Sequence, residues 1–155
     1  MGGGSGYTIK RNFPFAREIV WEAWTDPEAF ATWFGTDKLQ MKDVKLDVKV
    51  GGDWKGTMTL PDGTERHWLG KYEAIEEPNK LVMSITDTGV LTEQLEMYSL
   101  TLEDQGQKKT QMTLTQSGGN LSDEEYKRAK AGTESFMDTM EAKVLPMLKA
   151  RHDAM

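Results

Sequence analysis

Three observations predict an α+β domain in which a curved antiparallel sheet wraps around one long helix. Apolar residues alternate with period 2 in about seven segments, most of them joined by short turns. The final segment is the clearest amphipathic helix, and two short helical segments follow the first strand. Order then decides the architecture. An antiparallel sheet that is polar on one face needs cover on the other, and the only large apolar helix is the last one. The sheet must therefore close around that helix, the helix-grip arrangement.

Tyr7 to Phe13 alternates as a strand, and Pro14 ends it. Ala16 to Trp24 turns helical, with Ile19, Val20, Ala23 and Trp24 on one stripe. Trp21 lies off that stripe, either exposed or packed under the sheet edge. Asp26 caps a second helix, with Pro27 at its first position and Glu28 in its first turn. Phe30, Trp33 and Phe34 form that helix's apolar side, and Gly35 is its C-cap. Leu39 to Val50 returns to period 2, with Val44, Leu46, Val48 and Val50 on one face, before a Gly51-Gly52 turn. Trp54, Gly56, Met58 and Leu60 mark the next strand, and Pro61-Asp62-Gly63 the turn after it. The following strand carries Arg66, Trp68, Gly70, Tyr72 and Ala74 on one side, with His67, Lys71 and Glu73 on the other. Glu77-Pro78-Asn79 turns the chain into a strand with Leu81, Met83 and Ile85. Two long strands follow, Leu91 to Leu102 and Thr110 to Ser117, closed by Gly118-Gly119-Asn120.

Ser122 and Glu125 form a capping box for the last helix, and Leu121 with Tyr126 fits a hydrophobic staple. Ala129, Thr133, Phe136, Met137, Met140, Val144 and Leu148 make a stripe at 3.6 spacing over about 25 residues. Pro146 should kink or loosen the final turn. Residues 1–6 read as a flexible linker or expression scar, 7–150 as the domain and 151–155 as a tail.

A chain of 155 residues is long enough to hide roughly 70% of its unfolded surface in one domain. The net charge of −6 argues against nucleic-acid binding. No apolar run is long enough for a membrane span. There is no cysteine, which excludes disulfides and thiolate chemistry and fits a reducing cytoplasm.

Three sequence blocks carry a family resemblance. The first is RNFPFAREIVWEAWTDPEAFATWFG, Arg11 to Gly35, with Val20-Trp21, Thr25-Asp26-Pro27-Glu28 and Trp33-Phe34-Gly35 as its core. The second is LDVKVGGDWKGTMTLPDG, Leu46 to Gly63, and the third LGKYEAIEEPNKLVMSI, Leu69 to Ile85. Together they resemble the activator-of-Hsp90-ATPase-homologue-like domains of the SRPBCC, or Bet v 1/START, superfamily, from about Tyr7 to Leu148. The resemblance implies the helix-grip fold and leaves three functions open. One is a binding domain for a small apolar or amphipathic ligand. Another is a protein-interaction module with an Hsp90-like partner, although Hsp90 activators of the family generally carry a further N-terminal domain. The last is a cavity enzyme, natural or engineered.

For ligand binding the candidates are Trp54, Met58, Trp68, Tyr72, Tyr98, Met112, Phe136, Met137 and Met140, which should converge between sheet and helix. The same residues also read as an ordinary filled core. Leu100 and Leu102 set a phase that turns Gln94, Glu96 and Tyr98 inward, whereas the competing phase turns Glu93, Leu95 and Met97 inward. Either Glu96 or Glu93 is then a wall carboxylate, a candidate general base in the enzyme reading and a partner for Arg66 in a structural one. The balance leans away from an enzyme without settling the question, and no nucleophile elbow supports Ser-His-Asp catalysis. His67 and His152 lack partners at ligand spacing, so no metal site is expected, and no motif calls for a cofactor.

Overall fold

The computed structural model describes residues 6–34, 41–85, 96–118 and 122–154. The chain begins with β1 (Gly6–Phe13), α1 (Arg17–Thr25) and α2 (Pro27–Trp33). A meander follows: β2 (Met41–Leu46), β3 (Asp53–Thr59), β4 (Glu65–Glu76), β5 (Lys80–Ile85), β6 (Glu96–Gly106) and β7 (Lys109–Ser117). It ends with α3 (Asp123–Thr139), a π turn (Met140–Val144) and α4 (Leu145–Asp153). The seven strands form one antiparallel sheet in the order β1-β7-β6-β5-β4-β3-β2. Because β1 and β2 are opposite edges, α1 and α2 must carry the chain from one edge to the other. They do so on the apolar face, beside the C-terminal helix. The fold is the helix-grip.

Local chemistry explains most boundaries. The Asp26 carboxylate accepts a hydrogen bond from the Ala29 N–H at 2.9 Å, and Pro27 opens α2. Ser122 Oγ accepts from the Glu125 N–H at 3.1 Å while Glu125 accepts from the Ser122 N–H at 2.9 Å, which completes the capping box of α3. Pro146 has no N–H to give the preceding turn. The helix absorbs this just upstream, where the Leu145 N–H reaches back to the Met140 carbonyl in the π turn. The helix then continues to Asp153, so residues 151–153, expected as tail, are helical. There His152 Nε2 lies 2.7 Å from Glu22 Oε1, tying α4 to α1.

Two expectations are corrected. Val50 does not share the apolar face of β2; it is 65% exposed. The strand stops at Leu46, and a tight turn that bonds the Lys49 N–H to the Asp47 carbonyl points Val50 to solvent. Within β2, Asp43 adopts a positive φ of 54° and shifts the register between Lys42 and Lys45. Arg66 shares a phase with Trp68 yet is exposed, because the β3–β4 hairpin tip runs beyond the core. Trp21 is buried, which resolves its two alternatives toward packing. Gly35, Leu39, Gly119, Asn120 and Leu121 lie outside the described residues.

The bend in β4 rests on one glycine. The β4–β5 ladder ends at the Tyr72–Met83 pair, so the next β5 carbonyl, that of Ser84, has no β4 partner. Trp54 of β3 supplies one: its indole N–H donates to Ser84 O at 2.7 Å, passing over Gly70. A Cβ at Gly70 would lie 1.8 Å from Ser84 O and 2.6 Å from Trp54 Nε1. Gly70→Ala should therefore destabilise the fold by about 3 kcal/mol or more in urea titration. A loss below about 0.5 kcal/mol would show that the backbone accommodates the methyl group without strain.

Candidate functional site

The residues expected to line the interior do converge there. Trp54, Met58, Tyr72, Tyr98, Met112, Met137 and Met140 are buried in the main core cluster, and Trp68 and Phe136 are half-buried against it. Alternation on β3, β4, β6 and β7 places the sheet residues, and the 3.6-residue stripe places those of α3 and the π turn.

Sequence reasoning missed how far α2 reaches into this space. Phe30 stacks on Phe34 at 4.9 Å and meets Trp54 edge-on at 5.6 Å. Phe34 is the hub: it contacts Trp68 at 5.4 Å, Phe136 at 5.2 Å and Trp54 at 5.9 Å. Trp33 sits 4.6 Å from Trp24 and donates its indole N–H to Ala23 O at 2.6 Å, locking α2 onto α1. Much of the space between sheet and helix is thus aromatic. Trp68 and Phe136 form its partly exposed side, between β4 and α3, with the buried Phe34 ring in contact with both. A separate open groove of about 470 Å³ lies along β2 and β3, bordered by Lys45, Leu46, Asp47, Asp53 and Lys55, and none of the expected lining residues takes part in it.

Among the described residues, three donors of this buried body meet no protein acceptor: Trp24 Nε1, Trp68 Nε1 and the Tyr72 hydroxyl. Trp33 and Trp54, in the same body, both have backbone carbonyls as partners. Burial, and then the Asp47 charge, holds the Tyr72 hydroxyl protonated well above the usual phenol range.

A polar chain closes the end of the grip near β1. The Tyr7 hydroxyl is 2.6 Å from Gln116 Oε1 and 2.7 Å from Thr133 Oγ1. Thr133 is 3.4 Å from the Tyr98 hydroxyl, and Gln116 Nε2 donates to Glu96 Oε1 at 3.4 Å. Glu96 is half-buried and shares the inward phase of Tyr98, Leu100 and Leu102; Glu93 and Gln94 lie outside the described residues. The signal for this chain was present in the sequence. Gln116 and Thr133 are polar residues in apolar phases, behind Met112 and Leu114 on β7 and within the helical stripe. Among the described residues no cluster of three His, Asp or Glu side chains could hold a metal ion.

Burial raises the hydroxyls of Tyr7 and Tyr98 above the ordinary phenol value, as it does Tyr72. Above pH about 10 the unfolded chain then loses protons that the folded chain keeps, so stability is full below that pH and falls above it. Each such tyrosine contributes about 1.4 kcal/mol per pH unit to the fall. Tyr7→Phe should reduce the slope of stability against pH above 10 by one tyrosine's share in urea titrations. An unchanged slope would show that Tyr7 ionises freely in the folded protein.

The family model described as "Activator of Hsp90 ATPase homolog 1-like protein" matches residues 14–144. Among solved structures, a protein from Chromobacterium violaceum superposes with a TM-score of 0.80 at 19% identity, covering 92% of this chain and 98% of that one. A protein from Nitrosomonas europaea superposes at 0.77 and 17% identity, covering 92% and 95%. An HSP90 activator from Plasmodium falciparum superposes at 0.68 and 21% identity, covering 89% and 94%. At these identities the likeness is one of fold. Comparison with curated proteins finds no match. On the span and position of the family match, the chain belongs to the activator-of-Hsp90-ATPase-homolog-1-like family.

Proposed function

We propose that this chain binds a small, largely apolar molecule bearing hydrogen-bonding groups, held between the sheet and the C-terminal helix. The observation that carries the reading is the set of unpartnered donors, Trp24 Nε1, Trp68 Nε1 and the Tyr72 hydroxyl. Buried polar groups are nearly always hydrogen-bonded, and one left unpaired costs about 1–3 kcal/mol. Three in a single core are expensive for a protein that only needs to fold. A ligand with suitably placed acceptors turns that cost into affinity and orientation. The wall around the donors suits such a ligand, since Met58, Met112, Met137 and Met140 are unbranched and adaptable. The half-buried Trp68 and Phe136 rings, both packed on Phe34, are where we place the ligand's entry. Trp54, Tyr72 and Tyr98 complete the set we assign to the ligand, and a reducing cytoplasm is the compartment that the cysteine-free sequence fits.

The family description favours a second reading, a surface that docks an Hsp90-like protein. Val50 is the single exposed large hydrophobic among the described residues. On the described surface a partner would therefore be held mainly by polar and charged contacts, without the apolar patch that usually marks a stable docking surface. The interior carries the more specific chemistry, and we prefer it.

Fluorescence titration with N-phenyl-1-naphthylamine, paired with native mass spectrometry, tests the proposal. The expected result is saturable binding at one site, weakened at least about tenfold by Met140→Trp, which adds bulk beneath the helix. The variant's near-UV circular dichroism reports whether it has folded. No saturable binding, or binding indifferent to Met140→Trp in a folded variant, would place the probe elsewhere and favour the docking reading.

A further inference from the structure

Glu96 fixes the direction of a hydrogen-bond chain that ends inside the grip. A carboxylate only accepts, so at their 3.4 Å contact Gln116 presents its amide nitrogen to Glu96. The Gln116 oxygen is then the acceptor for the Tyr7 hydroxyl, 2.6 Å away. Tyr7 has one proton and has committed it, so at the 2.7 Å contact the Thr133 hydroxyl must donate to Tyr7. Thr133 has likewise one proton, so the Tyr98 hydroxyl donates either to Thr133, 3.4 Å away, or to Tyr7, with which it is also hydrogen-bonded, and its proton is committed in both cases. At the inner end of the chain, the Tyr98 oxygen can therefore only accept.

The neighbouring ring supplies the complement. Trp24 stands edge-on to Tyr98, with ring centroids 6.3 Å apart and planes at 85°. Trp24 is fully buried, and its indole N–H meets no protein acceptor among the described residues. One ring thus holds a donor without an acceptor, and the next an acceptor whose own proton is committed. A hydroxyl group matches both, because it accepts and donates at one oxygen. An ether or ketone satisfies only the indole, and a carboxylate would meet the Tyr98 oxygen with no proton to offer.

We propose that the Trp24–Tyr98 pair is the polar end of the ligand site and takes the hydroxyl of an apolar alcohol or phenol. Trp24 Nε1 donates to the ligand oxygen, and the Tyr98 oxygen accepts the ligand's proton. Glu96 is a positioning residue: three side chains away, it sets the direction in which Tyr98 points its proton. This rests on the ligand-binding reading above and deepens it from hydrogen-bonding groups in general to a hydroxyl in particular.

Displacement of bound N-phenyl-1-naphthylamine by 2-naphthol, 2-methoxynaphthalene and 2-methylnaphthalene tests it. These ligands share one ring system and present a hydroxyl, an acceptor alone and neither. In the unaltered protein 2-naphthol should displace at about tenfold lower concentration than 2-methoxynaphthalene. Tyr98→Phe should erase that preference while the probe still binds. Glu96→Gln should shrink it, because a glutamine can donate as well as accept and lets the chain run in either direction. A purely structural role for Glu96 would instead weaken all three ligands alike. Equal displacement by all three, or a preference that survives Tyr98→Phe, would overturn the hydroxyl assignment and leave the ligand reading standing. Failure of the probe to bind would overturn both.

Discussion

Trp54 reaches across Gly70 to the carbonyl of Ser84, and the curvature of the sheet depends on that reach. A sheet that wraps a helix has to bend, and bending breaks ladder pairs. Here the break falls between β4 and β5, and two side chains mend it. The Trp54 indole satisfies the Ser84 carbonyl, and Ser84 Oγ accepts the Lys71 N–H at 2.8 Å. The repair needs a residue without a side chain at position 70, directly under the indole. It also fixes the Trp54 ring against Phe30 and Phe34, so the bend in the sheet and the docking of α2 are one packing problem.

From this follows the division of labour inside the grip. Trp33 and Trp54 hold the fold: each indole donates to a backbone carbonyl, the first joining α2 to α1 and the second β3 to β5. Trp24 and Trp68 meet no acceptor among the described residues. Tyr7 and Tyr98 belong to a connected polar chain that runs outward to Glu96, whereas the Tyr72 hydroxyl stands alone. The interior is therefore uneven in hydrogen bonding although nearly uniform in aromatic packing. That unevenness is the feature on which the ligand-binding proposal rests.

Much of the architecture was legible in the sequence because its signals are local. Period-2 alternation located the strands, Asp26-Pro27 and Ser122-Glu125 marked two helix starts, and the stripe from Ala129 to Leu148 identified the central helix. The failures are non-local. Val50 kept the phase of β2, but nothing in the phase says where a strand stops and its turn begins. Arg66 kept the phase of β4, but exposure depends on how far a hairpin overhangs the core. Pro146 announced a disturbance, but whether a helix answers with a kink or a π turn depends on the packing of Met140 and Val144. The lining residues were found by alternation, yet their pairing with Phe30, Trp33 and Phe34 was not, since it depends on the path of α2 from one edge of the sheet to the other. The unpartnered indoles cannot be read from sequence at all, because being without a partner is a property of every neighbour at once.

The tryptophan indole N–H resonances offer the most direct measurement of the central claim, in a two-dimensional nitrogen–proton spectrum recorded during titration with 2-naphthol. In the free protein, Trp33 and Trp54 should show the downfield protons of bonded indoles, and Trp24 and Trp68 the upfield protons of unbonded ones. Saturation with ligand should move the Trp24 proton downfield and leave Trp33 and Trp54 nearly unmoved. A Trp24 proton already downfield in the free protein, or unmoved at saturation, would mean that the interior is a completed core with no place for a ligand's oxygen.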